Sequence, residues 1–350
     1  MELGESAKSF NLETVVCNHG FFMMAPNYWI PTTKTLMRVL RLSDSITCVI
    51  VSISHPSNRN FLQVEVHGMD QLSSLDKDAI LSQVGRMLRI SAQDERDMEE
   101  FHKVNPQAKN KCFGRLFRSP TLFEDVIKSI LLCNCPWIRS LQMAQALCDL
   151  QLKLSSKGSV RKESKRKRAS FDDKKHCPNS IAFDRNTQIP SGNFPSPKEL
   201  SSVNEKTLNQ HCNLGYRASH ILRLAQKIEN GTIKLRAFEE GYDLLSTDKL
   251  YYKLLKIKGF GPFACANIMM CIGFYQKIPV DTETIKHLKE VHGMKLLTKR
   301  ETNVQIYDKM ERVDYYEKRF GKLSELPPSN YGNVTGSYIE THDSERRIKE

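Results

Sequence analysis

The sequence has no C-x-x-C pair, no apolar run long enough to cross a bilayer, no apolar segment at its start, and fewer acidic than basic residues. Each absence narrows the field. Ten cysteines are present, but most stand inside apolar runs such as Ile130-Leu131-Leu132-Cys133, so they read as small hydrophobes in a reducing compartment. The nearest approaches to a metal-binding pair are Cys133 with Cys135 and His211 with Cys212. Neither belongs to the tight cluster that zinc or an iron–sulfur centre needs, so both read as structural and no metal is expected. The longest apolar stretch, residues 263–274, falls short of the about 20 residues that span a membrane. Met1-Glu2-Leu3-Gly4-Glu5-Ser6 lacks an apolar core, so no secretory signal is expected. Lysine and arginine number 52 against 40 acidic residues, a net charge of +12. Such a surplus points to a polyanionic partner, nucleic acid being the commonest, although a basic tail on a neutral domain gives the same sum.

What is present is an ordinary globular composition over 350 residues, 40% hydrophobic and 26% charged, long enough for one large domain or two medium ones. Residues 1–70 read as a small antiparallel sheet. Residues 46–53 are rich in β-branched side chains, residues 61–66 alternate with a period near two, and Pro26, Asn27 and Pro56-Ser57-Asn58 supply turns. Residues 71–152 carry helical spacing, first in Ile80, Val84, Met87 and Leu88. Ser119-Pro120 then opens a helix with the stripe Leu122, Phe123, Val126, Ile127, Ile130 and Leu131, and residues 138–150 form another. Residues 153–195 are polar and hold the basic run 161–168. They read as a disordered insertion, either a nuclear import signal, a non-specific DNA contact, or a solvated loop with neither role. Residues 196–322 return to helices: one opened by Ser196-Pro197, one over 220–230 stopped by Gly231, and two more over 250–257 and 262–274. Residues 323–350 read as a disordered tail. The fold class is mainly α with an N-terminal antiparallel sheet.

The last two helices are joined by Lys258-Gly259-Phe260-Gly261. Gly259 and Gly261 permit backbone geometries that other residues resist, and Pro262 suits the first position of a helix. Uncovered N–H groups at that helix start, with Lys256 and Lys258 beside them, can hold a phosphate. A lone G-x-G is usually only a turn, and an aspartate such as Asp281 is usually only a helix cap. Together they say more: Asp281 follows Gly261 by twenty residues, in Pro279-Val280-Asp281. This hairpin, spacing and aspartate resemble the signature of the helix-hairpin-helix (HhH-GPD) DNA glycosylase superfamily, enzymes that remove damaged bases from duplex DNA. The order of elements resembles its 8-oxoguanine branch, with a sheet before the helical domains. That resemblance implies contacts to the base opposite the lesion from Asn134 and Arg139. It also implies, through Leu214-Gly215-Tyr216-Arg217-Ala218, a wedge in Tyr216 and a reader of the orphan base in Arg217. The residues alone leave other roles open: a turn for Asn134, a packed aromatic for Tyr216, a phosphate clamp for Arg217.

The sequence departs from that branch at three places. Two positions after Gly261, where strand-cleaving members carry a lysine, stands Phe263, which cannot form a Schiff base. Glu283 stands where the branch has histidine. The segment 315–320, which resembles the terminal helix walling the base pocket, lies close behind Asp281. Phe263-Ala264-Cys265-Ala266-Asn267 instead resembles the bacterial-type 3-methyladenine glycosylases, which are monofunctional. The resemblance thus implies a nuclear, monomeric enzyme without metal or organic cofactor. It would act on double-stranded DNA containing a damaged base, flip that base out and hydrolyse its glycosidic bond with Asp281. Phe263, Asn267 and Glu283 are candidates for the base pocket, with Phe21, Phe22 and Trp137 as further aromatics, although for any one of the aromatics a core role is the better reading. The Phe263 helix points to alkylated purines and the N-terminal sheet to oxidised ones. A duplex-binding module without catalysis, or a scaffold with a basic docking loop, are the competing classes.

Overall fold

Alternation of β-branched and polar residues builds the sheet. In the computed structural model, β1 (Tyr28–Ile30), β2 (Thr35–Arg41), β3 (Cys48–Ser54) and β4 (Gln63–His67) form an antiparallel meander in that order. The structure describes residues 1–56, 59–104, 106–110, 112–163, 192–240, 247–275, 277 and 279–281. Val49, Val51 and Ile53 of β3 point inward, opposite Leu40, Arg38 and Leu36 of β2. The strand predicted from residue 46 begins at Cys48, because the Asp44 carboxylate accepts the Ile46 and Thr47 amides and closes a turn there.

The helices are α1 (Leu12–Val16), α2 (Ser74–Leu88), α3 (Ala92–Val104), α4 (Pro106–Asn110), α5 (Leu122–Leu132) and α6 (Trp137–Glu163). After the insertion come α7 (Pro197–Ser201), α8 (Glu205–Cys212), α9 (Arg217–Glu229), α10 (Arg236–Glu240), α11 (Thr247–Leu255) and α12 (Pro262–Ile272). Sheet and helices share one continuous core, with a small satellite of Phe101, Ala108 and Phe113. Among the described residues no helix is long and apolar enough to cross a membrane.

Two expectations need correction. Ser119 does not cap α5. Thr121 does, accepting the Glu124 amide, while the Ser119 amide is taken by the Asp125 carboxylate at 2.7 Å. The insertion is shorter than its composition suggests. Helix α6 runs on to Glu163, with Leu154 still packed against the core, and the chain returns by residue 192. Gln151 accepts the Asn193 amide at 3.0 Å, so residues beyond 150 are part of the fold. Residues 164–191, including the rest of the basic run, lie outside the described residues. Phe21 and Phe22 are core residues, 1% and 8% exposed, the role the sequence favours for them over the pocket. The Ser196 cap likewise forms with a full capping box to Glu199 and Pro197 at the first position, as the sequence reads.

Helix α5 is buried on all sides, including Glu124, Asp125, Lys128 and Ser129. Glu124 pairs with Arg38 of β2 at 3.1 Å and with Lys128 at 2.8 Å, and Arg38 also donates to the Asn27 side chain at 2.9 Å. Burial alone would raise the Glu124 pKa; Arg38 and Lys128 outweigh it and hold the carboxyl below its usual range. Replacing Glu124→Gln leaves two buried cations without a counter-charge. The expected loss is about 3–5 kcal/mol of unfolding free energy, measured by urea denaturation, and a loss under about 1 kcal/mol would contradict this account.

Candidate active site

The hairpin is built by hydrophobic pins at its turn. After α11, Ile257 donates its amide to Leu254 O at 2.9 Å and Phe260 to Ile257 O at 3.0 Å, with Phe260 buried in the core. The two glycines differ. Gly259 has φ +100°, and a Cβ there would lie 2.8 Å from the His220 ring, so both backbone and packing demand glycine. Gly261 has an ordinary φ of −95° as the N-cap of α12, and nothing stands within 4 Å of where its Cβ would be. The expectation that Gly261 needs an unusual backbone is therefore not met; its lack of a side chain leaves open space in front of the helix start. Pro262 is the first residue of α12 and no side chain caps that end. Lys256 and Lys258 are exposed on the turn.

The far end of α12 is held by cations. Arg89 donates to Met270 O at 2.6 Å and Cys271 O at 3.2 Å, and Arg118 donates to Cys271 O at 2.8 Å. Burial, reinforced by Arg89 and Arg86, pushes the Arg118 pKa down to about 10. The helix dipole is thus neutralised at its C-terminus and left open at its N-terminus. Phe263, the second residue of α12, is half-buried. Asn267, one turn on, is buried and donates to Phe263 O at 3.1 Å. Beyond α12, Pro279 and Val280 are buried and Asp281 is half-buried. Glu283, the segment 315–320 and any helix opened by Asp281 lie outside the described residues. Among the described residues no group of three or more His, Cys, Asp or Glu could hold a metal ion.

A second cluster forms where the end of α5 meets the start of α9. Asn134 is exposed with φ +48°, a left-handed turn conformation that asparagine tolerates, so the turn role is real whatever else the side chain does. Tyr216 is 54% exposed, which rules out a packed aromatic, and its hydroxyl donates to Cys133 O at 3.4 Å. Arg139 is exposed and reaches Asn213 O at 3.4 Å. Arg217 is the buried member of this cluster. It is 4% exposed, and its guanidinium donates to Ile130 O at 3.3 Å, to Asn134 O at 3.3 Å and to Cys133 O, beneath the Tyr216 ring at 4.6 Å. In this structure it fastens the end of α5 and supports Tyr216, taking up carbonyls at and just beyond the helix end.

His220 was not singled out from the sequence. Its ring edge meets Tyr216 with centroids 5.9 Å apart and fills the space beside Gly259, so it joins the second cluster to the hairpin. The available signal was its i+4 spacing from Tyr216 on one helix face.

No family model matches the chain, and no curated protein matches it in sequence. Solved structures do resemble it. The apo form of the 8-oxoguanine glycosylase/lyase from Clostridium acetobutylicum aligns with TM-score 0.56 and 15% identity, over 92% of each chain. The same protein in complex with double-stranded DNA containing cytosine opposite 8-oxoG aligns with TM-score 0.56 and 15% identity, over 95% of this chain and 93% of the other. A 3-methyladenine DNA glycosylase from Archaeoglobus fulgidus aligns with TM-score 0.54 and 16% identity, over 96% and 93%. The chain has the helix-hairpin-helix DNA glycosylase fold.

The structural role of Arg217 has a direct consequence. Arg217→Ala removes the donor shared by the Ile130, Cys133 and Asn134 carbonyls, of which the first keeps the Cys133 amide and the second the Tyr216 hydroxyl, and is expected to cost about 1–3 kcal/mol of stability in chemical denaturation. Arg217→Lys recovers less than about half of that, since one ammonium cannot reproduce the guanidinium fork.

Proposed function

We propose that this protein is a monofunctional DNA glycosylase of base excision repair, acting on a damaged, alkylated purine. The observation that carries the reading is the pairing, within a glycosylase fold, of Asp281 beyond α12 with Phe263 at the second residue of α12. A carboxylate is present, and residue 263, where strand-cleaving members of the resembled branch carry a lysine, has no amine. Backbone amides at the start of α12, with Lys256 and Lys258, grip a phosphate. Tyr216, exposed beside Asn134 and Arg139, fills the gap left by the flipped nucleotide. As the C1′–N bond breaks, its electron pair leaves with the base and positive charge grows on the sugar. Asp281 stabilises that charge and accepts a proton from the water that adds to C1′. The products are a free base and an abasic strand. Phe263, with Asn267 one turn on, lines the base pocket, an aromatic suited to the cationic ring of an alkylated purine, and Glu283, outside the described residues, is a further candidate. The four-stranded sheet supports a second reading, an oxidised-purine substrate, since that branch carries a sheet before its helices. The basic run at 161–168 supports a nuclear location, and the enzyme works as a monomer on duplex DNA.

The test is base release from duplexes carrying 3-methyladenine-type, hypoxanthine, 8-oxoguanine or uracil lesions, read with and without alkali. Strand breaks are expected only after alkali, and Asp281→Asn is expected to slow release by about a hundredfold or more while binding persists. Breaks without alkali would overturn the monofunctional assignment. Duplex binding with no release from any lesion would leave a non-catalytic binding module.

A further inference from the structure

Charged groups from the hairpin turn, α9 and α8 act on His220, which lies beside the turn. Its ring occupies the place a side chain on Gly259 would take, with Cγ and Nδ1 2.8 Å from that position. On its other side it meets the edge of Tyr216, at 5.9 Å and an interplanar angle of 70°. Lys258 approaches from the turn, Arg223 from the next turn of α9, and Glu205 more weakly from α8. The imidazole thus backs the turn that leads into the uncapped N-terminus of α12 and touches the exposed aromatic of the neighbouring cluster.

Resting on the proposed duplex-binding reading, we propose that His220 is a positioning residue that locks the hairpin turn to Tyr216 and takes up a proton when a DNA phosphate settles on that turn. In the free protein, partial burial and the charges of Lys258 and Arg223 hold the ring below the usual histidine pKa, with Glu205 opposing them. The neutral ring packs against Gly259 without adding a third cation to the two beside it. An incoming phosphate reverses the balance: its charge offsets the two cations and favours the imidazolium. Binding then carries proton uptake, and by linkage affinity rises as pH falls. An opposite charge nearby shifts such a group by about one unit or more, and each unit is worth about tenfold in affinity across the titration.

The experiment uses the full chain and a duplex carrying a tetrahydrofuran abasic-site analogue. Affinity is measured by fluorescence anisotropy at fixed ionic strength between about pH 5.5 and about pH 8.5, the range in which histidines titrate. The wild type is expected to gain about tenfold in affinity towards low pH, and His220→Gln to lose most of that gain, whatever its affinity at high pH. Parallel profiles for the two proteins, or a flat wild-type profile, would overturn the role of His220. Should His220→Gln melt early, proton uptake on binding by the wild type, measured calorimetrically in two buffers near neutral pH, decides instead. About half a proton taken up supports the proposal and none overturns it. Absence of duplex binding at every pH would sink the duplex-binding reading, and with it the ligand assigned here. That failure is distinguishable from a flat profile with binding intact.

Discussion

Two adjacent buried carboxylates on one helix organise this protein. Glu124 and Asp125 lie side by side on α5, yet they are tied to opposite neighbours. Glu124 takes Arg38 from the sheet and Lys128 from its own helix, while Asp125 takes Arg86 of α2 at 2.8 Å and the Ser119 amide. Burying such charges costs several kcal/mol each unless they are paired, so their partners cannot move independently. The sheet, α2 and α5 are locked to one another by requirements that apolar packing alone would not impose. Everything proposed for the site hangs from that lock: the end of α5 carries the Asn134 turn, and α12 packs along its side.

The candidate site is an electrostatic arrangement as much as a set of residues. Helix α12 has its C-terminal carbonyls taken up by Arg89 and Arg118 and its N-terminal amides left facing open space at Gly261. Fixed at one end and open at the other, the helix offers its positive pole to an anion. Arg217 does comparable work in the second cluster, satisfying the last carbonyls of α5 so that Tyr216 stands exposed on a supported base. His220 bridges the two clusters across Gly259. A rigid frame of buried arginines thus carries an exposed aromatic and an exposed, lysine-flanked turn.

How far the sequence could be read depended on the range of the interaction involved. The hairpin, its proline and its glycines were legible, because a turn of that kind is written in consecutive residues. The Ser196 capping box was legible for the same reason. Helix α3 was not, since its polar composition hides an apolar contact made through Met98 and Phe101 to a distant segment. The continuation of α6 into the insertion was hidden because its support, the Asn193 amide on Gln151, comes from residues 42 positions away.

Local chemistry was decided by the sequence alone: where strands alternate, where helices start and stop, that no lysine stands two positions past Gly261, and that Asp281 follows at the spacing of a glycosylase signature. Which charges are buried, and what each does, was decided only by tertiary structure. Arg217 and Arg139 are the same residue type within one resemblance, yet one is locked under a tyrosine and the other is exposed. Gly259 and Gly261 are two residues apart, yet only one is required by a neighbour, and that neighbour is His220. The reason is physical. Backbone preference acts over a few residues, whereas desolvation and packing depend on which distant groups the fold brings within a few ångströms.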